Sequence, residues 1–234
     1  MSHREEFRRG LRDIVAPSFG MAAFGLVTGV TMIKSGLSVP LAALMSLTVY
    51  AGSAQLAALP LIAAGAPLWV VWATAACMNL RFVIFSAHWR QYFGHLPRTQ
   101  RLLLMYFAID LSYVLFLRRF PEPKPAPEQI PYYWGSVTWS WFSWQIPAFS
   151  GIVLADRVPE EWGIGFAGVL ALLGLAYTTL SGRKSWIAAV TAAVVAVVAF
   201  TLPLRLNIVV AIAAGVAIGL LLDRRWPDAT PERA

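Results

Sequence analysis

The chain has 234 residues, 58% of them hydrophobic and only 13% charged, with a mean hydropathy of +0.63; this balance describes an integral membrane protein and excludes a soluble domain with a large core. A net charge of +7 and a pI near 10.0 raise nucleic acid as a partner, but the basic residues sit in short loops between apolar runs, so they set membrane orientation instead. The single cysteine, Cys77, excludes an internal disulfide and is read as packing.

Residues 1–13 carry Arg4, Arg8, Arg9 and Arg12 against Glu5, Glu6 and Asp13. They are expected as a short basic helix on the cytoplasmic membrane surface and not as a signal peptide. The apolar run 14–33 follows and holds Pro17, Gly20, Gly25 and Gly29. Gly25 and Gly29 have the spacing that lets two membrane helices approach closely; a broken helix lining a path is the sharper alternative. Residues 35–80 then carry no formal charge, too long a run for one crossing, since roughly 20 apolar residues span a bilayer. The simplest reversal is Ala63-Ala64-Gly65-Ala66-Pro67. The first arm contains Tyr50-Ala51-Gly52-Ser53-Ala54-Gln55, and the second ends in Asn79-Leu80-Arg81.

Further uncharged runs place spans at 40–63, 68–89, 101–117, 132–154, 162–181, 185–203 and 205–222. The expected fold is therefore an all-α polytopic bundle of about eight (seven to eight) transmembrane helices, some broken at glycine or proline. One membrane domain covers 14–222, followed by a cytoplasmic tail, 223–234. With both termini cytoplasmic, twelve Lys and Arg fall inside, six outside, and Arg81 within a span. A re-entrant 40–63 alone would make the tally nine against nine. The loop 121–131, with Pro121, Pro123, Pro125, Pro127 and Pro131, is an extended, semi-rigid connector. The cluster Tyr132, Tyr133, Trp134, Trp139, Trp141 and Trp144 reads in part as an interfacial belt. Trp144 and Gln145 lie deeper, before Pro147, which should kink that helix; they line a cavity or face lipid. Gly215 and Gly219 offer a close-packing face for a partner or a homo-oligomer.

Arg81 and Asp110 are ionisable residues inside expected spans, and such residues are functional candidates by default. Arg81 lies eight residues before Trp89 and Asp110 nine after Arg101, so an antiparallel hairpin would set both at about 12 to 14 Å from one surface and allow an ion pair. That pair is either a structural bridge or a working one. Tyr106, Asp110 and Tyr113 share one helical face, and Thr74, Arg81 and His88 another. Facing one another, these stripes would form a polar seam.

No enzyme motif emerges. Gly163-Ile164-Gly165-Phe166-Ala167-Gly168 copies the dinucleotide fingerprint by letter but lacks a βαβ unit. His3, His88 and His95 have no ligand spacing for a metal, Ser53 has no recognisable base, and no cofactor is called for.

Taken in order, Pro17, Phe24-Gly25-Leu26, Gly36-Leu37-Ser38, Met45-Ser46, Ala51-Gly52-Ser53-Ala54-Gln55, Asn79-Leu80-Arg81, Asp110 and Trp144-Gln145 resemble the AzlC family of bacterial branched-chain amino acid exporters. The resemblance covers most of 14–113 and, more loosely, the remainder. It implies proton-driven efflux of leucine, isoleucine, valine and related small solutes across the inner membrane, with a small AzlD-type membrane partner. Three positions depart from the family pattern: Phe82 where histidine is frequent, Leu111 where an acid is common, and Gly165 where an aspartate occurs. The substrate-binding residues expected are Pro17, Phe24, Gly25, Tyr50, Gly52, Ser53, Gln55, Asn79, Trp144 and Gln145; Arg81, Asp110, Tyr106 and Tyr113 are expected as gate or proton relay. A passive channel or a membrane scaffold is the alternative of another class.

Overall fold

The computed structural model describes residues 2–157, 180, 182–201 and 206–225. The span expected at 162–181, with Gly165, lies outside the described residues. Every regular element described is helical: α1 (His3–Lys34), α2 (Val39–Thr48), α3 (Gly52–Ala63), α4 (Leu68–Phe93), α5 (Arg98–Tyr106), α6 (Asp110–Arg119), α7 (Gln129–Leu154) with a 3-10 turn (Ala155–Arg157), α8 (Gly182–Val198) and α9 (Leu206–Arg225). Among the described residues, α1 and α4 are long and apolar enough to cross a membrane, and the bent pair α5–α6 would be a third if it were one span.

A capping box starts α1. The Ser2 amide donates to Glu5 at 2.8 Å and the Glu5 amide to Ser2 Oγ at 3.3 Å; the hydrogen bonds from Ser2, backbone first, hold the Glu5 carboxyl below its ordinary range. The helix then runs unbroken through Pro17. Residues 1–13 are thus not a separate surface helix but the first turns of a 32-residue rod. Proline removes only one internal hydrogen bond there, and contact with α7 extends far to either side.

That contact is nearly backbone to backbone. A Cβ at Gly10 or Gly29 would overlap the carbonyl of Tyr132 or Ala148, and one at Gly135 or Gly151 would overlap that of Phe7 or Leu26. The close approach expected at Gly25 and Gly29 is present, and the residue numbers rise together on both helices, so α1 and α7 run parallel. Pro147 does not interrupt α7.

The remaining helices take their direction from side-chain contacts. Tyr92, near the end of α4, donates to the Phe120 carbonyl at 3.0 Å, and Trp89 packs on Tyr133 at 5.3 Å. Arg119, the last residue of α6, pairs with the fully buried Glu6 of α1 at 2.8 Å. The ends of α4 and α6 therefore lie together with the starts of α1 and α7, and α4 runs opposite to α1. Between them α5 and α6 enter from that end and return to it, bent by 116° at 107–109.

At the other end Met32 of α1, Ala42 of α2, Leu59 of α3 and Ile152 of α7 share one cluster. The chain leaves α1 there, enters α2, breaks at 49–51 and returns in α3 to the same end, where Gly65, at φ +64°, turns it into α4. Segments 40–63 and 101–117, expected as through-going spans, are thus two V-shaped hairpins that come in from opposite ends and meet midway. Each half is only about 13 to 18 Å long, half of what a crossing requires.

α8 and α9 pack on each other, with Gly215 against Ala192 and Lys184 paired to Asp223 at 3.4 Å. Among the described residues, a Cβ at Gly219 would meet nothing within 4 Å, so of the expected glycine face Gly215 makes a close contact there and Gly219 does not. Cys77, read as packing, is exposed on α4.

Candidate functional site

The hairpin tips meet at Arg81, which stands near the midpoint of α4, roughly 20 Å from either end. Its guanidinium reaches both tips. Nη2 donates to Ser53 Oγ at 2.8 Å, and Nη1 lies 3.0 Å from Asp110 Oδ2. Ser53 is the second residue of α3 and Asp110 the first of α6, so one cation ties together two helix beginnings. The ion pair anticipated from the sequence is present, by a different route: Asp110 does not sit deep in a straight helix but opens a new one.

Each break has its own means of satisfying the backbone. The last turn of α2 leaves the Ser46 and Leu47 carbonyls without helical partners; side chains bond these and add a second bond to the Met45 and Val49 carbonyls, which also accept from backbone amides. Gln55 Nε2 donates to the carbonyls of Met45 and Val49, Gln145 Nε2 to that of Ser46 at 3.0 Å, and the Tyr106 hydroxyl to that of Leu47. Ser46 Oγ in turn donates to Gln145 Oε1 at 2.7 Å. At the second break the Ile109 amide donates to Ser112 Oγ at 3.1 Å, and that hydroxyl donates back to the Ile109 carbonyl. Tyr106 stands at the end of α5 and bonds a carbonyl of α2, so the hairpins are also stitched directly to each other.

Around these tips lies a cavity of about 410 Å³. α1 contributes Gly20, Met21 and Phe24; the first break contributes Tyr50, Ala51, Gly52 and Ser53; α4 contributes Arg81 and Phe82; the second break contributes Ile109, Asp110 and Leu111; α7 contributes Trp144. Phe24 and Tyr50 meet the Trp144 ring edge-on at 5.6 and 6.4 Å. Gly52 is needed for space and not for its dihedral angles, because a Cβ would strike the rings of Trp144 and Phe24. The Tyr50 hydroxyl and Trp144 Nε1 are buried with no hydrogen-bond partner, as is Arg81 Nε. The start of α3 has no side-chain cap either. Three residues that carry an unpartnered buried donor among the described residues thus stand together in an otherwise aromatic and aliphatic wall.

Of the expected binding residues, Phe24, Tyr50, Gly52, Ser53 and Trp144 line this cavity together with Arg81 and Asp110. Gln55 and Gln145 stand behind it as braces of the first break. Gly25 packs on the backbone of Trp144, Pro17 is exposed on α1, and the buried Asn79 Oδ1 has no partner among the described residues and lies off the cavity wall. The two expected stripes meet in part: Arg81 reaches Asp110, and His88 Nδ1 shares a 2.8 Å hydrogen bond with the Tyr113 hydroxyl. Tyr106 turns away to α2, and the buried Thr74 hydroxyl has no partner among the described residues.

Sequence reasoning missed Met21 and Ile109 as lining residues, took Leu111 and Phe82 only as departures, and did not see Ser112 as the cap of the second break. Phe107-Ala108-Ile109 contains neither glycine nor proline. The one available signal was Asp110 followed two residues later by Ser112, a polar pair of the kind found at helix starts.

The AzlC protein family matches residues 17–158. The inner membrane protein YgaZ of Escherichia coli (strain K12) is 27% identical over 240 residues, covering 97% of this chain and 94% of that protein. No solved structure matches. The family match takes in more than half of the chain and every residue that lines the cavity, so this helical membrane protein belongs to the AzlC family.

Proposed function

We propose that the chain is a secondary transporter that exports branched-chain or related small apolar amino acids across the inner membrane in exchange for protons, working with a small AzlD-type membrane protein. One observation carries this reading: two half-length hairpins from opposite ends meet at a mid-depth cavity that holds one cation and one carboxylate. Broken helices whose beginnings face a midplane site are how secondary transporters present charge to a small polar solute without exposing unsatisfied backbone to lipid. The aromatic and aliphatic wall suits an apolar side chain. Asp110, the one acid on that wall, is the proton carrier, and Arg81 is its counter-charge.

Orientation supports the same arrangement. Within residues 1–157, Arg4, Arg8, Arg9, Arg12, Arg90, Arg98, Arg101, Arg118, Arg119 and Lys124 belong to the end where α1 begins; only Lys34 and Arg157 belong to the other. That is ten against two. Threading 40–63 and 101–117 as full crossings would give seven against five, so two re-entrant hairpins fit a cytoplasmic N-terminus far better under the positive-inside rule. On this reading α1, α4 and α7 are the crossings within residues 1–157.

The test is efflux of labelled leucine and valine from vesicles holding the chain, alone and with a candidate partner, with and without a pH gradient. Gradient-dependent efflux that unlabelled branched-chain amino acids compete for, and that an Asp110→Asn variant of normal insertion loses, is the expected result. Flux that merely dissipates a solute gradient would make the protein a channel, and no flux in any arm would make it a scaffold.

A further inference from the structure

A shift of 58 residues carries Phe24, Ala51, Gly52 and Ser53 onto Phe82, Ile109, Asp110 and Leu111, and all eight residues border the cavity. The same shift carries Gly36, in the turn after α1, onto Gly94, the cap of α4. α1 and α4 run in opposite directions, and the hairpins that follow them enter from opposite ends. α1–α3 and α4–α6 are therefore an inverted repeat with the cavity at its centre, an architecture known from secondary transporters.

Because these positions are equivalent, their differences carry information. The first half places Ala51, Gly52 and Ser53 at the start of α3, with Ala23 where the second half has Arg81. The second half places two branched apolar residues, Ile109 and Leu111, on either side of a carboxylate. Amide groups at an uncapped helix start favour an anion, and here an independent feature agrees. Tyr50 and Trp144 of the same wall are only 7% and 4% exposed, and among the described residues the Tyr50 hydroxyl and Trp144 Nε1 have no hydrogen-bond partner. Arg81 completes that side through Ser53. A repeat with one anion-seeking half and one acidic, apolar half has a built-in direction.

Resting on the transport reading above and extending it, we propose that the cavity takes a zwitterionic α-amino acid in one fixed orientation. The substrate carboxylate lies at Arg81 and the start of α3, the ammonium at Asp110, and the apolar side chain against Leu111 and Phe82. The ligand enters by parting the 3.0 Å contact between Arg81 and Asp110, so one ion pair becomes two. A proton on Asp110 competes with the substrate ammonium for the same oxygens. Proton and amino acid then occupy the site in turn, as exchange requires.

Binding of three probes to the purified full chain tests the orientation: L-leucine, L-leucinamide, which lacks the carboxylate, and 4-methylpentanoate, which lacks the amine. L-leucine should bind at least tenfold more tightly than either analogue. Asp110→Asn should weaken L-leucine about tenfold and leave 4-methylpentanoate unchanged. Arg81→Gln should weaken both carboxylate probes and spare L-leucinamide. Ser53→Ala, the mildest change, should weaken the carboxylate probes about threefold and keeps the test open where a charge variant fails to fold. Equal losses on all three probes, a reversed pattern, or no binding of any probe to the unaltered chain would overturn the orientation. If the pattern holds but leucine is not exported, the orientation stands and the transport reading falls; export without the pattern is the converse.

Discussion

The two hairpins occupy equivalent places but are held by different means. The α2–α3 tip carries no charge, and three side chains from three helices make four hydrogen bonds to its carbonyls: Gln55 twice, Gln145, and Tyr106. The α5–α6 tip is closed locally by Ser112 and carries the only acid on the cavity wall. A break satisfied from outside depends on neighbouring helices staying in register, whereas one satisfied by its own next turn can shift as a unit. The difference predicts that α2–α3 is the fixed side of the cavity and that α5–α6 moves against it once the Tyr106 bond to Leu47 opens.

The strongest way to break this comparison is Arg81→Leu, since the Arg81 guanidinium bonds a side chain of each tip. It leaves Asp110 without its cation and Ser53 without its donor. Transport should fall below detection. Removing one partner of a fully buried pair costs about 3 to 5 kcal/mol; Asp110 is half-exposed, its side chain 53% accessible, so about 1 to 2 kcal/mol is expected, read as a lowered melting temperature in detergent. A second change, Asp110→Leu, should restore most of that stability and none of the transport. Failure of the double variant to regain stability would mean that the pair does not join the tips.

Gln55→Ala comes next and addresses the fixed side. The Met45 and Val49 carbonyls keep backbone partners, so the loss is the second bond on each together with a small void, about 2 kcal/mol in all. Transport should fall with the folded fraction and recover at lower temperature, because Gln55 stands behind the wall and not on it. A transport defect that persists in fully folded protein would return Gln55 to the binding site.

Much of this was legible in residue order. The uncharged run 35–80, the reversal around Gly65 and the pairing of Arg81 with Asp110 all follow from charge and hydropathy, because a charge inside an apolar run must find a partner. The depth of the hairpins was not legible. An apolar segment of some two dozen residues has the same composition whether it crosses or turns back, and only contacts such as Tyr92 with Phe120 decide. The second break was hidden as well, since Phe107-Ala108-Ile109 has the letters of a continuous helix and its cap, Ser112, follows the break. The charge tally held a clue in its own weakness: within residues 1–157 full crossings leave it at seven against five, and returning both hairpins sharpens it to ten against two. That Gln55 and Gln145 stand behind the wall was not legible either, because a buried amide in a membrane segment serves equally well as a ligand group and as a brace for broken backbone.

Tyr106→Phe and Ser112→Ala separate the two ways of closing a break, with the smallest effects. Tyr106→Phe deletes only the hydroxyl that crosses from α5 to the Leu47 carbonyl, and the ring stays within reach of Tyr50, 6.3 Å away. Loss of one such bond costs about 1 kcal/mol. Because it links the hairpins, hydrogen exchange should rise in both tips together. Ser112→Ala removes a cap that is internal to α5–α6, also worth about 1 kcal/mol, and exchange should rise around 107–112 while 47–55 stays protected. If Ser112→Ala loosens the α2–α3 tip as much as its own, the hairpins form one unit, and movement of α5–α6 against a fixed partner is not how the cavity opens.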